Sequence, residues 1–219
     1  MSNENLTLNE IFDLAIKNHQ NNNLQDARNY YQKVLELDPN HSQTLNNLGA
    51  IFLVLGERLK AKNCYEKVIE LNPNYADAHN SLGIILKELG EIEKAKECYE
   101  KAISINPNYL NAHYNLGTTF RELGERLKAK NCYEKVIELN PNYADAHNSL
   151  GIILKELGEI EKAKECYEKA ISINPNYLNA HYNLGTTFRE LGERLKAKNC
   201  YEKVIELNPN YADAHNSLG

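Results

Sequence analysis

The side chains with the widest chemical reach in this 219-residue chain are its five cysteines and seven histidines. Cys64, Cys98, Cys132, Cys166 and Cys200 recur at one constant interval, and no two of them form a CxxC pair. An odd number of evenly dispersed thiols encodes neither a disulfide framework nor a thiol redox motif. The spacing reads them as small hydrophobes on one face of a helix. His79, His113, His147, His181 and His215 keep the same interval. A mononuclear zinc site takes about four close ligands, whereas each interval supplies one His and one Cys on different helices, as in His79 and Cys98. Packing is the role this pattern assigns to both residue types, and no metal or cofactor is expected. Catalysis asks for a unique, preorganised constellation, yet every candidate group here recurs along the chain. Glu97 and Lys101 stand four apart, the spacing of a solvated helix pair worth a few tenths of a kcal/mol. The chain reads as non-enzymatic.

The interval is 34 residues. It aligns Gly49, Gly83, Gly117, Gly151, Gly185 and Gly219, and likewise Pro39, Pro73, Pro107, Pro141, Pro175 and Pro209. Units fall at 8–41, 42–75, 76–109, 110–143, 144–177 and 178–211, with a partial unit at 212–219. Each unit reads as two short helices. Gly56, Gly90, Gly124, Gly158 and Gly192 lie between them, where a residue with positive φ reverses the chain at low cost. Asn72-Pro73 and its copies stop the second helix, because proline lacks the amide donor and restrains the residue before it. In Asn74-Tyr75-Ala76-Asp77 the spacing predicts a capping-box variant at the next helix start, with Asn74 as the capping side chain. Gly83 and Ala95 are small where the two helices should cross, and Leu82, Leu86, Leu89 and Tyr99 are expected to fill the space around them. The first unit departs from the rest: Ala15 replaces the glycine, Asn22 sits at the turn, and a polar run covers Asn18 to Asn23. Terminal repeats deviate because one face meets solvent. A second periodicity is superimposed, since Leu55–Gly151 is identical, residue for residue, to Leu123–Gly219. Packing tolerates volume-conserving drift, so complete identity points to recent duplication or to deliberate construction.

The spacing of His79, Leu82, Gly83, Leu86, Ala95, Tyr99, Ala102 and Pro107 within the unit resembles the tetratricopeptide repeat family. The family often carries a large aromatic at the fourth position, where these units have histidine, with Leu45 and Ile11 in the first two. The resemblance implies an all-α fold, a right-handed superhelical solenoid of helix-turn-helix repeats, and a single domain over 1–219. It also implies a concave groove lined by the first helix of each unit, where extended peptides usually bind. The groove positions alternate between Asp77, Asn80, Ser81, Ile84, Lys87, Glu88 and Asn111, Tyr114, Asn115, Thr118, Arg121, Glu122. With their copies this gives a candidate peptide-binding set of Asn47, Asn80, Lys87, Tyr114, Asn115, Thr118, Arg121, Asn148, Lys155, Tyr182, Asn183, Thr186 and Arg189. Asparagine both donates and accepts, and tyrosine offers rigid amphipathic contact area. The lysine-rich carboxylate clamp of one subclass is absent. The units look closer to those of O-linked N-acetylglucosamine transferase, whose asparagine ladder is matched at Asn47, Asn115 and Asn183 but broken by Ser81, Ser149 and Ser217.

A formal net charge of −5 with interspersed signs argues against the sequence-independent phosphate binding that a basic stripe supplies. No stretch approaches the roughly 18 apolar residues of a membrane span, and MSNENLTLNE has no signal-like apolar run. The chain therefore reads as soluble and cytoplasmic, with a protein or peptide partner rather than nucleic acid or membrane. Two readings follow: a protein–protein interaction scaffold for extended peptides or for its own copies, or the amino-terminal substrate-recruiting region of a larger enzyme such as a glycosyltransferase. End-to-end association is also expected, because the second helix around Arg194 to Leu207 has only the partial unit 212–219 to cover it, while Ile11, Phe12 and Leu14 lie at the other end.

Overall fold

The computed structural model describes residues 6–218, so Gly219 and the first five residues lie outside it. Among the described residues every regular element is helical. Contacts group into two compact units, residues 1–107 and 108–219. The first holds α1 (Leu8–Gln20), α2 (Leu24–Leu37), α3 (Ser42–Val54), α4 (Arg58–Leu71), α5 (Ala76–Glu88) and α6 (Ile92–Ile105). The second holds α7 (Leu110–Glu122), α8 (Arg126–Leu139), α9 (Ala144–Glu156), α10 (Ile160–Ile173), α11 (Leu178–Glu190), α12 (Arg194–Leu207) and α13 (Ala212–Leu218). Helices pair as antiparallel hairpins in chain order, α1 with α2 through α11 with α12. Within each unit, the second helix of one hairpin also packs on the first helix of the next, as α4 does on α5 and α8 on α9.

The reversals are made where the glycines predicted them. Gly56, Gly90, Gly124, Gly158 and Gly192 have φ between 74° and 80°, and Asn22 takes the same place in the first hairpin with φ 60°. At the proline turns the capping differs from expectation. Helix α5 begins after Tyr75, whose side chain makes no cap bond; Asn74 is not the cap. Its backbone N–H donates instead to Asn72 Oδ1 at 3.1 Å, so the asparagine before the proline holds the turn through its own side chain. The reciprocal capping box occurs only at α1 among the described helices, where Thr7 and Glu10 exchange bonds.

Each hairpin closes on a tyrosine. Tyr31, Tyr65, Tyr99, Tyr133, Tyr167 and Tyr201 are all at most 2% exposed. A methyl group built at Gly83 would lie 2.6 Å from the Tyr99 ring, and one at Gly151 the same distance from Tyr167. The glycine therefore makes room for a ring rather than for the facing helix backbone. Ala95, Leu82 and Leu86 are buried as expected, but Leu89 is 40% exposed at the helix end. It lies too close to the positive-φ turn to reach the core.

Candidate functional site

The recurring histidines prove to be turn supports. Nε2 of His79, His147, His181 and His215 lies 2.8–3.0 Å from the carbonyl of Pro73, Pro141, Pro175 and Pro209 respectively. The imidazole reaches back six residues from the first turn of the helix and ties the proline loop to it. All five cysteines are free, and burial pushes the thiols of Cys64, Cys98, Cys166 and Cys200 up to about 11. A thiol held neutral in this way is a packing group rather than a nucleophile. Among the described residues no cluster of three or more His, Cys, Asp or Glu could hold a metal ion.

In residues 1–107, Asn47 is half-buried and its Nδ2 donates to Tyr31 OH at 3.1 Å. Asn80 is only 5% exposed and Lys87 is half-buried. In residues 108–219 the candidates converge more closely. Asn183 Nδ2 donates to Asn148 Oδ1 at 3.0 Å, so the amides of successive hairpins pair with each other. Lys155 Nζ donates to Thr186 Oγ1 at 3.0 Å and pairs with Glu190 at 2.8 Å. Thr118 and Thr186 each donate their hydroxyl to the backbone carbonyl three residues earlier, at Asn115 and Asn183. Their polarity is thus largely satisfied within the helix. Arg121 is half-buried and Arg189 exposed.

Tyr114 and Tyr182 gain neighbours from the proline turns. Tyr114 and Tyr143 stack at a tilt with centroids 5.3 Å apart, and Tyr182 repeats this with Tyr211 at 5.3 Å. Tyr177 OH donates to Asp145, and burial together with that carboxylate pushes its pKa upward. The signal was present in the sequence: a tyrosine closes each NPNY turn one residue before α5, α7, α9, α11 and α13. It lacked only the knowledge that the turn folds back over the fifth position of the preceding hairpin's first helix. The result is a half-buried aromatic and amide face, displayed twice in residues 108–219.

Profiles of the tetratricopeptide repeat match residues 42–75, 76–109, 144–177 and 178–211, and related profiles match 10–41, 98–130 and 117–158. No curated protein matches the chain. Among solved structures it is similar to MamA, with 30% identity over 76% of this chain and 97% of that chain and a TM-score of 0.69. It is also similar to pilF of Pseudomonas aeruginosa, with 20% identity, 95% of each chain covered and a TM-score of 0.84. YrrB, described as a TPR protein with an unusual peptide-binding site, shares 24% identity over 85% of this chain and 96% of its own, with a TM-score of 0.73.

Proposed function

The chain belongs to the tetratricopeptide repeat family, and on that premise we propose that it is a protein-interaction scaffold whose first helices hold an extended peptide. The observation that carries this reading is the repeated pair Tyr114–Tyr143 and Tyr182–Tyr211, each beside an asparagine, Asn115 or Asn183. Half-buried tyrosines lose little conformational entropy on binding and offer both ring faces and a hydroxyl. Asn183 gives one N–H to Asn148 and keeps a carbonyl oxygen and a second N–H, which suits one peptide unit of an extended ligand. The solved protein YrrB carries a peptide-binding site on the same fold, which makes a peptide the natural ligand class to test first. The proposal covers the chain 1–219 as one array, since the 34-residue register runs unbroken from Leu8 to Tyr211. No helix among the described residues is long and apolar enough to cross a membrane, and a soluble cytoplasmic setting fits the interspersed charge. Binding rather than catalysis is the reading, because the candidate side chains are packed or paired in ways that serve the repeats.

The test is a peptide array probed with the whole chain, followed by titration of a retained peptide against Tyr114→Ala/Tyr182→Ala. Removing two aromatic anchors should weaken binding by about tenfold or more. A peptide whose affinity is untouched by both substitutions would place the binding face elsewhere.

A further inference from the structure

The hairpin α7–α8 holds two hydrogen-bond donors that the fold itself does not use. Tyr133 is fully buried, and its hydroxyl has no hydrogen-bond partner. Tyr114 stands against it at a tilt, with ring centroids 5.8 Å apart, and meets Tyr143 at 5.3 Å. The half-buried Arg121, about two turns along α7 from Tyr114, lies close enough to act on the Tyr133 hydroxyl. Among the described residues Arg121 has no ion pair. Its counterpart in the next hairpin is spent: Lys155 pairs with Glu190 at 2.8 Å and donates to Thr186. Glu156 stands to Arg121 in sequence as Glu190 stands to Lys155, but Arg126 holds it at 2.7 Å. Asp145 is engaged as well, accepting from Tyr177 OH. A buried hydroxyl and a half-buried cation thus share one corner of the tyrosine face, and the acids around them are taken. Leaving such groups unpaired costs free energy, a cost that an acceptor on a ligand removes.

We infer that this corner takes a carboxylate of the bound peptide, with the Arg121 guanidinium and the Tyr133 hydroxyl as its two donors. The inference rests on the reading of the tyrosine face as the peptide site. It adds which peptides that face selects: those that bring an acidic side chain, or their own terminal carboxylate, to α7. An ionised carboxylate only accepts hydrogen bonds and has two oxygens to do so, which matches two donors left without an acceptor. The planar guanidinium suits a carboxylate better than an ammonium group would. One negative charge balances the one cation, whereas a doubly charged phosphate would leave surplus charge in a half-buried place. A basic segment is rejected by Arg121. Tyr182, Tyr201 and Arg189 repeat the trio: the rings lie 5.9 Å apart, the Tyr201 hydroxyl has no partner, and Arg189 acts on it. The inference does not depend on that copy, but substitutions are made at both places so that neither masks the other.

Three pentapeptides serve as probes. In acetyl-Ala-Ser-Glu-Ser-Ala-amide the side chain is the one carboxylate, in acetyl-Ala-Ser-Gln-Ser-Ala the free end is, and acetyl-Ala-Ser-Gln-Ser-Ala-amide is neutral. Each is isotope-labelled and followed by NMR as the whole chain is added. At least one carboxylate peptide should bind about tenfold or more tightly than the neutral one, and the arm that does so identifies the source. Arg121→Gln/Arg189→Gln and Tyr133→Phe/Tyr201→Phe should each remove that advantage. The phenylalanine variants delete only hydroxyls that have no partner, so a melt close to the parent's shows them to be folded. Equal binding of all three peptides, binding of none, or an advantage that survives both sets of substitutions overturns the inference. Tyr114→Ala/Tyr182→Ala separates it from the reading beneath it. Peptides that bind alike yet need these two tyrosines leave the face standing and remove the carboxylate; an advantage that needs Arg121 but not the tyrosines keeps the donor pair and removes the face.

Discussion

The first hairpin and the interior hairpins solve one geometric problem with different residues. In α9–α10 the helices meet over Tyr167, with Gly151 so close that an added methyl group would sit 2.6 Å from the ring. In α1–α2 the same place holds Ala15, fully buried beside an equally buried Tyr31. There the tyrosine has other company: Phe12 lies 6.0 Å away and His19 stands edge-on at 6.0 Å. The turn shows the same contrast, glycine at φ 80° in Gly158 against Asn22 at 60°. The helix start differs too, since Thr7 caps α1 with its hydroxyl while Tyr143 caps α9 with none. The Thr7 hydroxyl satisfies an amide that the start of a helix leaves without an intrahelical partner. Interior hairpins can leave this to packing. The small residue at the crossing is a consequence of where the tyrosine ring sits, not a fixed demand of the hairpin.

The largest expected effect separates these regions by pH. Burial pushes the thiols of Cys64, Cys98, Cys166 and Cys200 from 9.0 up to about 11, whereas the first hairpin has Tyr30 at that position. A folded-state pKa above the unfolded value means that the folded form holds its proton more tightly. The stabilisation is therefore complete below pH 9 and is lost as pH rises from about 9 towards 11. Several hairpins carry such a thiol, so their losses combine, and stacked repeats fail where they are weakest. Hydrogen exchange between pH 9 and 10, corrected for the intrinsic base-catalysed rate, should show the cysteine-bearing hairpins opening before α1–α2. Uniform opening along the chain would remove the distinction.

Next in size is the crossing itself. Gly151→Ala should cost about 1–3 kcal/mol through overpacking against Tyr167. The reverse change, Ala15→Gly, should cost only about 0.5–1 kcal/mol, the ordinary penalty of glycine inside a helix. Thermal or urea melts of both variants measure the difference. A harmless Gly151→Ala would mean that the Tyr167 ring moves aside freely, as the neighbours of Tyr31 suggest only the first hairpin permits.

Hairpins, boundaries and turns were legible because each rests on a local cause: glycine for positive φ, proline for helix ends, and apolar spacing for the buried face. The errors were those of reach. Asn74 looked like a cap because the sequence shows spacing but not which of the two asparagines flanking the proline bonds through its side chain; Asn72 does, accepting from the backbone N–H two residues ahead. Leu89 looked like core because it is apolar, yet the turn begins one residue later and lifts it to the surface. On the candidate face the residue types were correct, but their mutual bonds were invisible. Asn148 with Asn183 and Tyr114 with Tyr143 are pairs set by how hairpins stack and by how the proline loop folds back. Neither distance can be read from a period of 34.

The smallest expected effect concerns the joint between hairpins. Tyr31 OH accepts a hydrogen bond from Asn47 on the next first helix, at the sixth position of its unit. Where that position is Ser149, the hydroxyl fares differently. Tyr133 is fully buried and its OH has no hydrogen-bond partner; Ser149 lies near enough to influence it but not in bonding geometry. Restoring the longer side chain with Ser149→Asn should therefore supply the missing donor and stabilise the joint between α8 and α9 by about 0.5–1.5 kcal/mol, the net worth of one buried hydrogen bond. Ser149 is itself only 6% exposed, so the added atoms must fit beside Tyr133 and part of the gain offsets that crowding. Asn47→Ser is the mirror experiment and should cost a similar amount, because it strands Tyr31 OH with only the long 3.4 Å contact to His19 Nδ1. The two variants form a matched pair read by urea melts. Opposite signs would establish that the sixth position sets the strength of each joint through the tyrosine below it. Loss of stability in both would mean that Ser149 is chosen for its size, and that the buried hydroxyl of Tyr133 is tolerated rather than awaiting a partner.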